Sequence, residues 1–322
     1  MRAVRIHTTG GPEVLQIDNI ATPEPRAGDV LVQVEVAGVN FIDTYQRSGL
    51  YPLPLPIGLG REGSGRVIAL GSDVRGRSVG DRVAWIDTNG SYAEQVVVDA
   101  DRTVLVPDGV DLTLAGAGLL QGLTAHYLVE STAKLGPEDT VLVYAAAGGV
   151  GRILVQLAKR LGTRVLACTS TAEKAEIARG LGADEVILYR DRDIAAEVRD
   201  LTNGRGVDVV YDSVGKDTFD SSIASLRPRG LLALYGASSG PVPPVDPQIL
   251  KSAGSLFLTR PALTHYTATH EELKDRASDL FELLATGELD LKIYGEYPLE
   301  TVVDAHRDLE SGTTSGKLIL RP

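Results

Sequence analysis

Val141-Leu142-Val143-Tyr144-Ala145-Ala146-Ala147-Gly148-Gly149-Val150-Gly151 is the stretch on which the reading of this chain turns. A short apolar run breaks into small residues and then enters a helical pattern, so it reads as strand, tight turn and helix. A turn without side-chain bulk lets a dinucleotide's pyrophosphate approach backbone N–H groups at the positive end of the following helix. The spacing from Ala145 to Gly151, A-x-x-G-x-x-G, is a relative of the dinucleotide fingerprint. Small residues at such a turn also serve plain close packing, so the surrounding chain has to decide between the two.

Downstream, Val150, Ile153, Leu154, Leu157, Ala158 and Leu161 recur at helical spacing, and Gly162 is placed to end that helix. Strands then alternate with helices for over a hundred residues. Strand candidates cover 141–144, 164–168, 185–189, 207–211, 231–235 and 255–259. The intervening helices carry Ile177 and Leu181, then Ile194, Val198 and Leu201, then Phe219, Ile223 and Leu226. This alternation predicts an α/β domain, a doubly wound parallel sheet of six strands with helices on both faces. The small-residue turn follows the first of the six strands, where a dinucleotide is expected.

The end of the second strand should select the cofactor, because an acidic residue there accepts the ribose hydroxyls of NAD. It reads Cys168-Thr169-Ser170-Thr171-Ala172-Glu173-Lys174, hydroxyls followed by a lysine, with no acid on the strand end. A 2′-phosphate suits those donors, and each charge-assisted hydrogen bond contributes about 1.5–3 kcal/mol. The alternative is that Thr169 caps the helix and Lys174 is solvated. Tyr189 lies either against the adenine side or in the core. Gly236-Ala237-Ser238-Ser239-Gly240 fits the G-x-S-x-G of a hydrolase nucleophile elbow, but such an elbow runs straight into a helix, and Pro241, Pro243 and Pro244 prevent one. Gly236 to Ser239 is therefore read as a loop at the carboxyl end of the fifth strand, where a nicotinamide lies.

The 322 residues suffice for two domains, and the formal charge of −11 with a pI near 5.0 argues against binding nucleic acid by bulk electrostatics. The first residues, Met1 to His7, contain no apolar signal core, and no apolar run approaches membrane-spanning length, so a soluble chain is expected. Cys168 is the single cysteine, for which a reducing cytoplasm is the default. Up to about Gly122 short alternating segments are punctuated by glycine and proline, which predicts a β-rich domain. In Val30-Leu31-Val32-Gln33-Val34-Glu35-Val36 the side chains of Val32, Val34 and Val36 share one face. The segment 40–52 mixes polar and aromatic residues without periodicity and reads as an irregular turn or a binding loop. Near the other end, 271–284 and 301–309 read as helices and Lys317-Leu318-Ile319-Leu320 as a closing strand, in which a lysine is solvated by default.

Five motifs recur together in this order. They are Asn40-Phe41-Ile42-Asp43-Thr44-Tyr45 with Gly49-Leu50-Tyr51-Pro52, Gly60-Arg61-Glu62-Gly63-Ser64-Gly65, Leu120-Gln121-Gly122-Leu123-Thr124-Ala125, Ala145 to Gly151, and Tyr211-Asp212-Ser213-Val214-Gly215. Along essentially its full length the chain resembles the medium-chain dehydrogenase/reductase superfamily, and within it the zinc-free quinone oxidoreductases, the zeta-crystallin-like branch. The resemblance implies a GroES-like catalytic domain over 1–122, an NADP-binding Rossmann domain inserted over 123–260, and a return to the catalytic domain over 261–322. The zinc alcohol dehydrogenases of that superfamily have cysteine, histidine and cysteine ligands where this chain has Asn40, Arg61 and Gln121. No metal is expected, and a four-cysteine zinc site is excluded by composition. His7, His126, His265, His270 and His306 show no metal spacing and are expected mainly at the surface or at caps.

Without a Lewis acid, an acceptor that takes hydride easily is favoured, and the resemblance implies NADPH-dependent reduction of quinones, with hydride leaving C4 of the nicotinamide. The catalytic set it implies is Asn40 beside the nicotinamide, with Tyr45, Tyr51 and Arg260 lining the acceptor site, none of them as an essential acid or base. The implied cofactor contacts are Asn40, Phe41, Tyr45, Tyr127, Ala147, Gly148, Gly149, Val150, Gly151, Thr169, Ser170, Lys174, Tyr189, Ser213, Gly236, Ala237, Ser238, Ser239, Phe257, Thr259 and Lys317. It also implies a homodimer formed through the nucleotide-binding domain. The rival readings are an NADPH-dependent reductase of activated alkenes and a cofactor-binding structural or sensor protein. The acidic balance counts against an RNA partner, and the intact cofactor motifs count against a purely structural role.

Overall fold

In the computed structural model, which describes residues 1–189 and 192–322, the stretch around residue 145 folds as strand Thr140–Val143, a tight turn, and helix Gly149–Arg160. The strand is wholly buried because Val141, Leu142 and Val143 face helices on both sides of a parallel sheet. Its hydrogen-bonded neighbours are Arg164–Thr169 and Val207–Asp212, both parallel to it. The complete sheet runs Glu185–Leu188, Arg164–Thr169, Thr140–Val143, Val207–Asp212, Leu226–Leu234, Phe257–Thr259. In chain order this is 3-2-1-4-5-6, the doubly wound arrangement in which the order reverses between the first and fourth strands. Leu142, Leu166, Ile187, Val210, Leu232 and the helix residues Val198, Phe219 and Ile223 form its core. The sixth strand is shorter than the alternation suggests, starting at Phe257 after Ser255 takes a positive φ of 58°.

A second core is β-rich. Strand Asp29–Val39 pairs with Glu62–Leu70, Gln95–Asp99 and Lys317–Arg321, all antiparallel. The last of these continues to Ile293–Pro298, while Glu62–Leu70 continues to Arg82–Ile86 and Thr103–Leu105. Val32, Val34 and Val36 are buried while Gln33 and Glu35 are exposed, as alternation requires. The described residues thus form two compact units, 1–123 with 267–322, and 124–266.

Two segments differ from expectation. The stretch after Asn40 is a helix, Phe41–Ser48, and not an irregular loop. The Asp43 carboxylate reaches back to accept the Asn40 N–H at 2.8 Å, and Gly49 closes the helix at a φ of 83°. Its inner face is polar, with Asp43, Thr44, Gln46 and Arg47 buried, so no apolar stripe betrayed it. Helix Leu112–Tyr127, followed by a π-helical turn Leu128–Thr132, lies in and beyond a region read as β-rich. Its 21 residues are long and apolar enough to cross a membrane by length and composition, contrary to the expectation that no run reaches that length. Most of its apolar length is buried inside the protein, as in a core helix.

Candidate active site

The turn between Val143 and Gly149 owes its shape to one residue in the left-handed region, Ala145, at a φ of 49°. Its carbonyl accepts the Gly148 N–H at 2.8 Å, and a Cβ on Gly151 would collide with the same carbonyl. The first intrahelical bond runs from Arg152 N to Gly148 O at 2.9 Å, leaving the N–H groups of Gly149, Val150 and Gly151 ahead of the helical ladder. Gly148, Gly149 and Val150 are half-buried and Ala147 is buried. This is a backbone cradle with N–H groups and no side chains in the way, which fits a pyrophosphate.

Several of the residues expected around such a cofactor lie at the carboxyl ends of the neighbouring strands. Thr169 ends the second strand and is buried; Ser170 follows it. The helix cap is Thr171, not Thr169, with its Oγ1 accepting the Lys174 N–H at 3.2 Å. Lys174 is half-buried on the first helical turn. Tyr189 is 39% exposed, which excludes a core role, and its N–H bonds the Thr169 carbonyl at 3.2 Å. Beyond the fourth strand, Asp212 accepts the N–H groups of Val214 and Gly215 and the hydroxyls of Thr218 and Ser222, which fixes the turn carrying Ser213. That turn is laced to the loop after the fifth strand, since Ser238 N bonds Ser213 O and Ser239 N bonds Val214 O. Ser238 is exposed, and no helix follows until Gln248–Ser252, so no nucleophile elbow exists here. Arg260 is exposed and donates to the Leu234 carbonyl at 2.8 Å; Tyr127 is buried in a parallel stack on Tyr266 at 4.2 Å. Phe257 and Thr259 lie on the edge strand, Phe257 61% exposed.

The other unit holds a buried polar centre. Registers explain it: Leu318 pairs with Val39, which brings Lys317 beside Asn40, and Ala37 pairs with Gly63, which brings Glu62 beside Gly38. A Cβ on Gly38 would fall on the Glu62 carboxylate, so glycine gives that side chain its place. Lys317 Nζ bonds Asn40 Oδ1 at 2.7 Å and forms an ion pair with Glu62 Oε1, with both charged side chains fully buried. Asn40 Nδ2 donates to Glu62 Oε1 at 2.7 Å, and Gln121 Nε2 donates to Asn40 Oδ1 at 3.3 Å. Glu62 Oε2 accepts the Leu120 N–H at 2.7 Å. Lys317 is therefore not the solvated lysine that its terminal strand suggested. Of Asn40, Arg61 and Gln121, only the first and last meet, because Arg61 turns instead to Asp87 at 2.5 Å, which Arg102 also pairs. Tyr45 and Tyr51 meet edge to face with ring centres 5.4 Å apart, Phe41 lies 6.3 Å from Tyr45, and Tyr51 is 38% exposed.

Known proteins share this construction from end to end. A quinone oxidoreductase of Pseudomonas aeruginosa is 44% identical over 323 residues, covering 100% of this chain and 99% of its own length. The chain belongs to the quinone oxidoreductases of the medium-chain dehydrogenase/reductase superfamily. The families described as alcohol dehydrogenase GroES-like domain and zinc-binding dehydrogenase match residues 26–108 and 149–284. A 2-haloacrylate reductase of a Burkholderia species is 40% identical over 99% of this chain and 98% of its own. The structure of the Escherichia coli quinone oxidoreductase complexed with NADPH superposes with a TM-score of 0.98 at 41% identity, covering 100% of both chains.

Membership of a family described as zinc-binding raises the question of a metal. In this member of the family Asn40 and Gln121 offer neutral amides, already bonded to one another, and an ammonium stands among them. That donor set does not fit a zinc ion, which takes thiolate, imidazole and carboxylate ligands. Among the described residues no three His, Cys, Asp or Glu side chains converge.

Behind the centre lies a shell that the sequence did not announce. The Asp43 carboxylate is buried and accepts the Tyr92 hydroxyl at 2.7 Å. Burial pushes it up to about 6, against the pull of those hydrogen bonds. Desolvation and the neighbouring carboxylate likewise raise the Tyr92 hydroxyl. His306 is fully buried rather than at the surface, 2.9 Å from Arg47, which also pairs Glu310. Burial and then the Arg47 charge push the imidazole down to about 3, so it is neutral and accepts from the guanidinium.

Proposed function

We propose that this protein is an NADPH:quinone oxidoreductase that works without a metal. The observation that carries the reading is the Lys317 ammonium held between Asn40 and Glu62 in a centre whose other donors are amides. With no group there to activate an isolated carbonyl as a metal does, an acceptor that takes hydride readily is favoured, and quinones are of that kind. When bound, the reduced nicotinamide supplies the hydride.

The chain's own part is to bind and orient. The N–H groups of Gly149, Val150 and Gly151 hold the pyrophosphate, and Ala147 and Gly148 leave room for it. Lys174, with Thr169 and Ser170, reads the 2′-phosphate, and the exposed ring of Tyr189 packs on the adenosine. Ser213, Gly236, Ala237, Ser238 and Ser239 supply the backbone and hydroxyl contacts to the nicotinamide half, with Phe257 and Thr259 completing them; Asn40, Phe41 and Tyr127 are further cofactor residues. Tyr45 and Tyr51 offer two aromatic rings that suit a planar quinone, and Arg260 is a further residue assigned to the acceptor. The E. coli relative binds NADPH and the P. aeruginosa relative is a quinone oxidoreductase, which supports both halves of this assignment.

The 2-haloacrylate reductase relative favours activated alkenes as the second acceptor class. A panel of quinones and enones with NADPH and NADH separates these: fast NADPH oxidation with quinones supports the first reading, and turnover confined to enones replaces it with the second. Tight NADPH binding without turnover of any acceptor contradicts both. A homodimer through the edge strand Phe257–Thr259 fits the open edge and the exposed Phe257, and sedimentation at the monomer mass would contradict it. A cytoplasmic setting fits a chain whose single cysteine, Cys168, is buried.

A further inference from the structure

We propose that Lys317 and Glu62 are the positioning residues of the reaction: their buried ion pair is the fixed charge of the centre and locks the Asn40 and Gln121 amides in a single orientation. The proposal rests on the hydride-transfer reading above and goes beyond it by assigning Lys317 a place behind the reacting groups instead of against the cofactor.

The bonding pattern carries it. Asn40 Oδ1 receives two donors, Lys317 Nζ at 2.7 Å and Gln121 Nε2 at 3.3 Å, and Asn40 Nδ2 gives its protons to Glu62 Oε1 at 2.7 Å and to the Gly38 carbonyl at 3.4 Å. Every hydrogen-bonding site on that amide is spent. Turning it over would set its NH2 against an ammonium and its oxygen against a carboxylate, so the charges at its two ends leave only one orientation. The Gln121 amide is fixed in turn, since reversing it would press its oxygen on Asn40 Oδ1. Gln121 Oε1 is left as a buried acceptor without a partner, in a residue only 8% exposed. An unspent acceptor in such a place costs stability unless a water or a ligand uses it, and this one belongs to the amide bonded to Asn40.

Stability alone does not explain the pair. The Lys317 and Glu62 side chains have no exposure at all, and a fully buried ion pair between two strands is commonly no better for stability than apolar residues of the same size. Four elements pay into the arrangement: the strand carrying Lys317, the strand carrying Glu62, the cap of helix Phe41–Ser48, and helix Leu112–Tyr127, whose Leu120 N–H bonds Glu62 Oε2 at 2.7 Å. Gly38 is kept bare for the Glu62 side chain. What the pair provides is a single fixed orientation of the Asn40 and Gln121 amides, and a shift of about 1 Å in groups that position a reactant costs on the order of a hundredfold in rate.

The test compares the wild-type protein with Lys317→Met, Glu62→Gln, the double variant and Gln121→Leu. Four quantities are read: thermal midpoint, NADPH dissociation constant by fluorescence, kcat with a quinone, and the isotope effect with NADPH deuterated at C4. Each single charge removal strands its partner and lowers the midpoint sharply. The double variant, free of stranded charge, regains the midpoint to within a few degrees and binds NADPH within threefold of wild type. Its kcat stays at least tenfold down, with a larger isotope effect because hydride transfer has become slower. Gln121→Leu keeps the ion pair and the fold and loses at least fivefold in kcat, so the proposal stands or falls on it if the double variant does not fold. A double variant with wild-type kcat, or a Gln121→Leu variant with wild-type kcat, overturns the positioning role while leaving the functional reading intact. Wild-type protein that binds NADPH and turns over no acceptor overturns the functional reading itself.

Discussion

The backbone cradle after the first strand of the parallel sheet and the Lys317 centre are built on opposite principles. The cradle, residues 145–151, is local in the chain and made of backbone, with side chains kept out: a carbonyl on Ala145, bare glycines, and N–H groups at the start of a helix. The centre draws Asn40, Glu62, Gln121 and Lys317 from distant parts of the sequence and is made of side chains, two of them charged and out of contact with water. A site of the first kind binds by leaving space for a ligand's own charge. A site of the second kind supplies charge of its own and gives up the freedom to move it. This difference predicts where each fails: the cradle to added bulk, the centre to lost partners.

Bulk in the cradle should give the largest effect. Gly151→Val places a side chain on the Ala145 carbonyl, and titration calorimetry should show NADPH affinity down about a hundredfold or more, as overpacking against backbone requires. Retained affinity would show that the turn is not the pyrophosphate site. Next comes the phosphate side. Lys174→Ala should lower kcat/KM for NADPH by about tenfold or more and barely change it for NADH. An equal loss with both cofactors would remove Lys174 from the 2′-phosphate. In the centre, Gly38→Ala pushes on the Glu62 carboxylate, and denaturant unfolding should find a loss of about 1–3 kcal/mol.

The shell behind the centre is read through pH, where each unit is worth no more than about 1.4 kcal/mol and the two buried groups have opposite signs. His306 is held near 3 in the fold, below the ordinary imidazole value, so the native state refuses a proton that the unfolded chain takes. Its contribution is intact above about 6.5 and falls by up to about 1.4 kcal/mol per unit as pH drops from there towards 3. Asp43, raised to about 6, holds a proton that the unfolded chain releases, so its contribution is present below about 4 and is lost as pH rises through 6. Unfolding curves of His306→Gln should therefore flatten below pH 6.5, and those of Asp43→Asn should flatten between pH 4 and 6. An unchanged slope in either variant would contradict the burial assigned to that residue.

The same contrast governs what the sequence alone shows. The nucleotide unit was legible because strand, turn and helix follow one another within a few residues, and apolar periodicity with punctuating glycines marks each of them. Thr169 ends the second strand and Lys174 sits on the helix after it, as the alternation of strand and helix required. Helix Phe41–Ser48 was not legible, since its inward face carries Asp43, Gln46 and Arg47 where apolar residues are looked for. Glu62 stood in view within Gly60-Arg61-Glu62-Gly63-Ser64-Gly65, but nothing local said that the glutamate turns inward while Arg61 turns to Asp87. Lys317 meets Asn40 only through strand register, a property of pairing between segments hundreds of residues apart. His306 escaped for the same reason, its partner Arg47 lying on another helix. The one signal within reach for Glu62 was its position opposite Gly38, a glycine inside a strand, which commonly marks a close approach.

If NADPH delivers hydride to a quinone in a centre whose fixed cation is an ammonium of the chain itself, no metal is needed for turnover. The measurement that decides this is kcat/KM for NADPH with a quinone acceptor, before and after exhaustive chelation and again with zinc added back. Turnover is expected to be unchanged by chelation, not raised by zinc, and supported at least tenfold less well by NADH. Activity lost to the chelator and restored by zinc would contradict it.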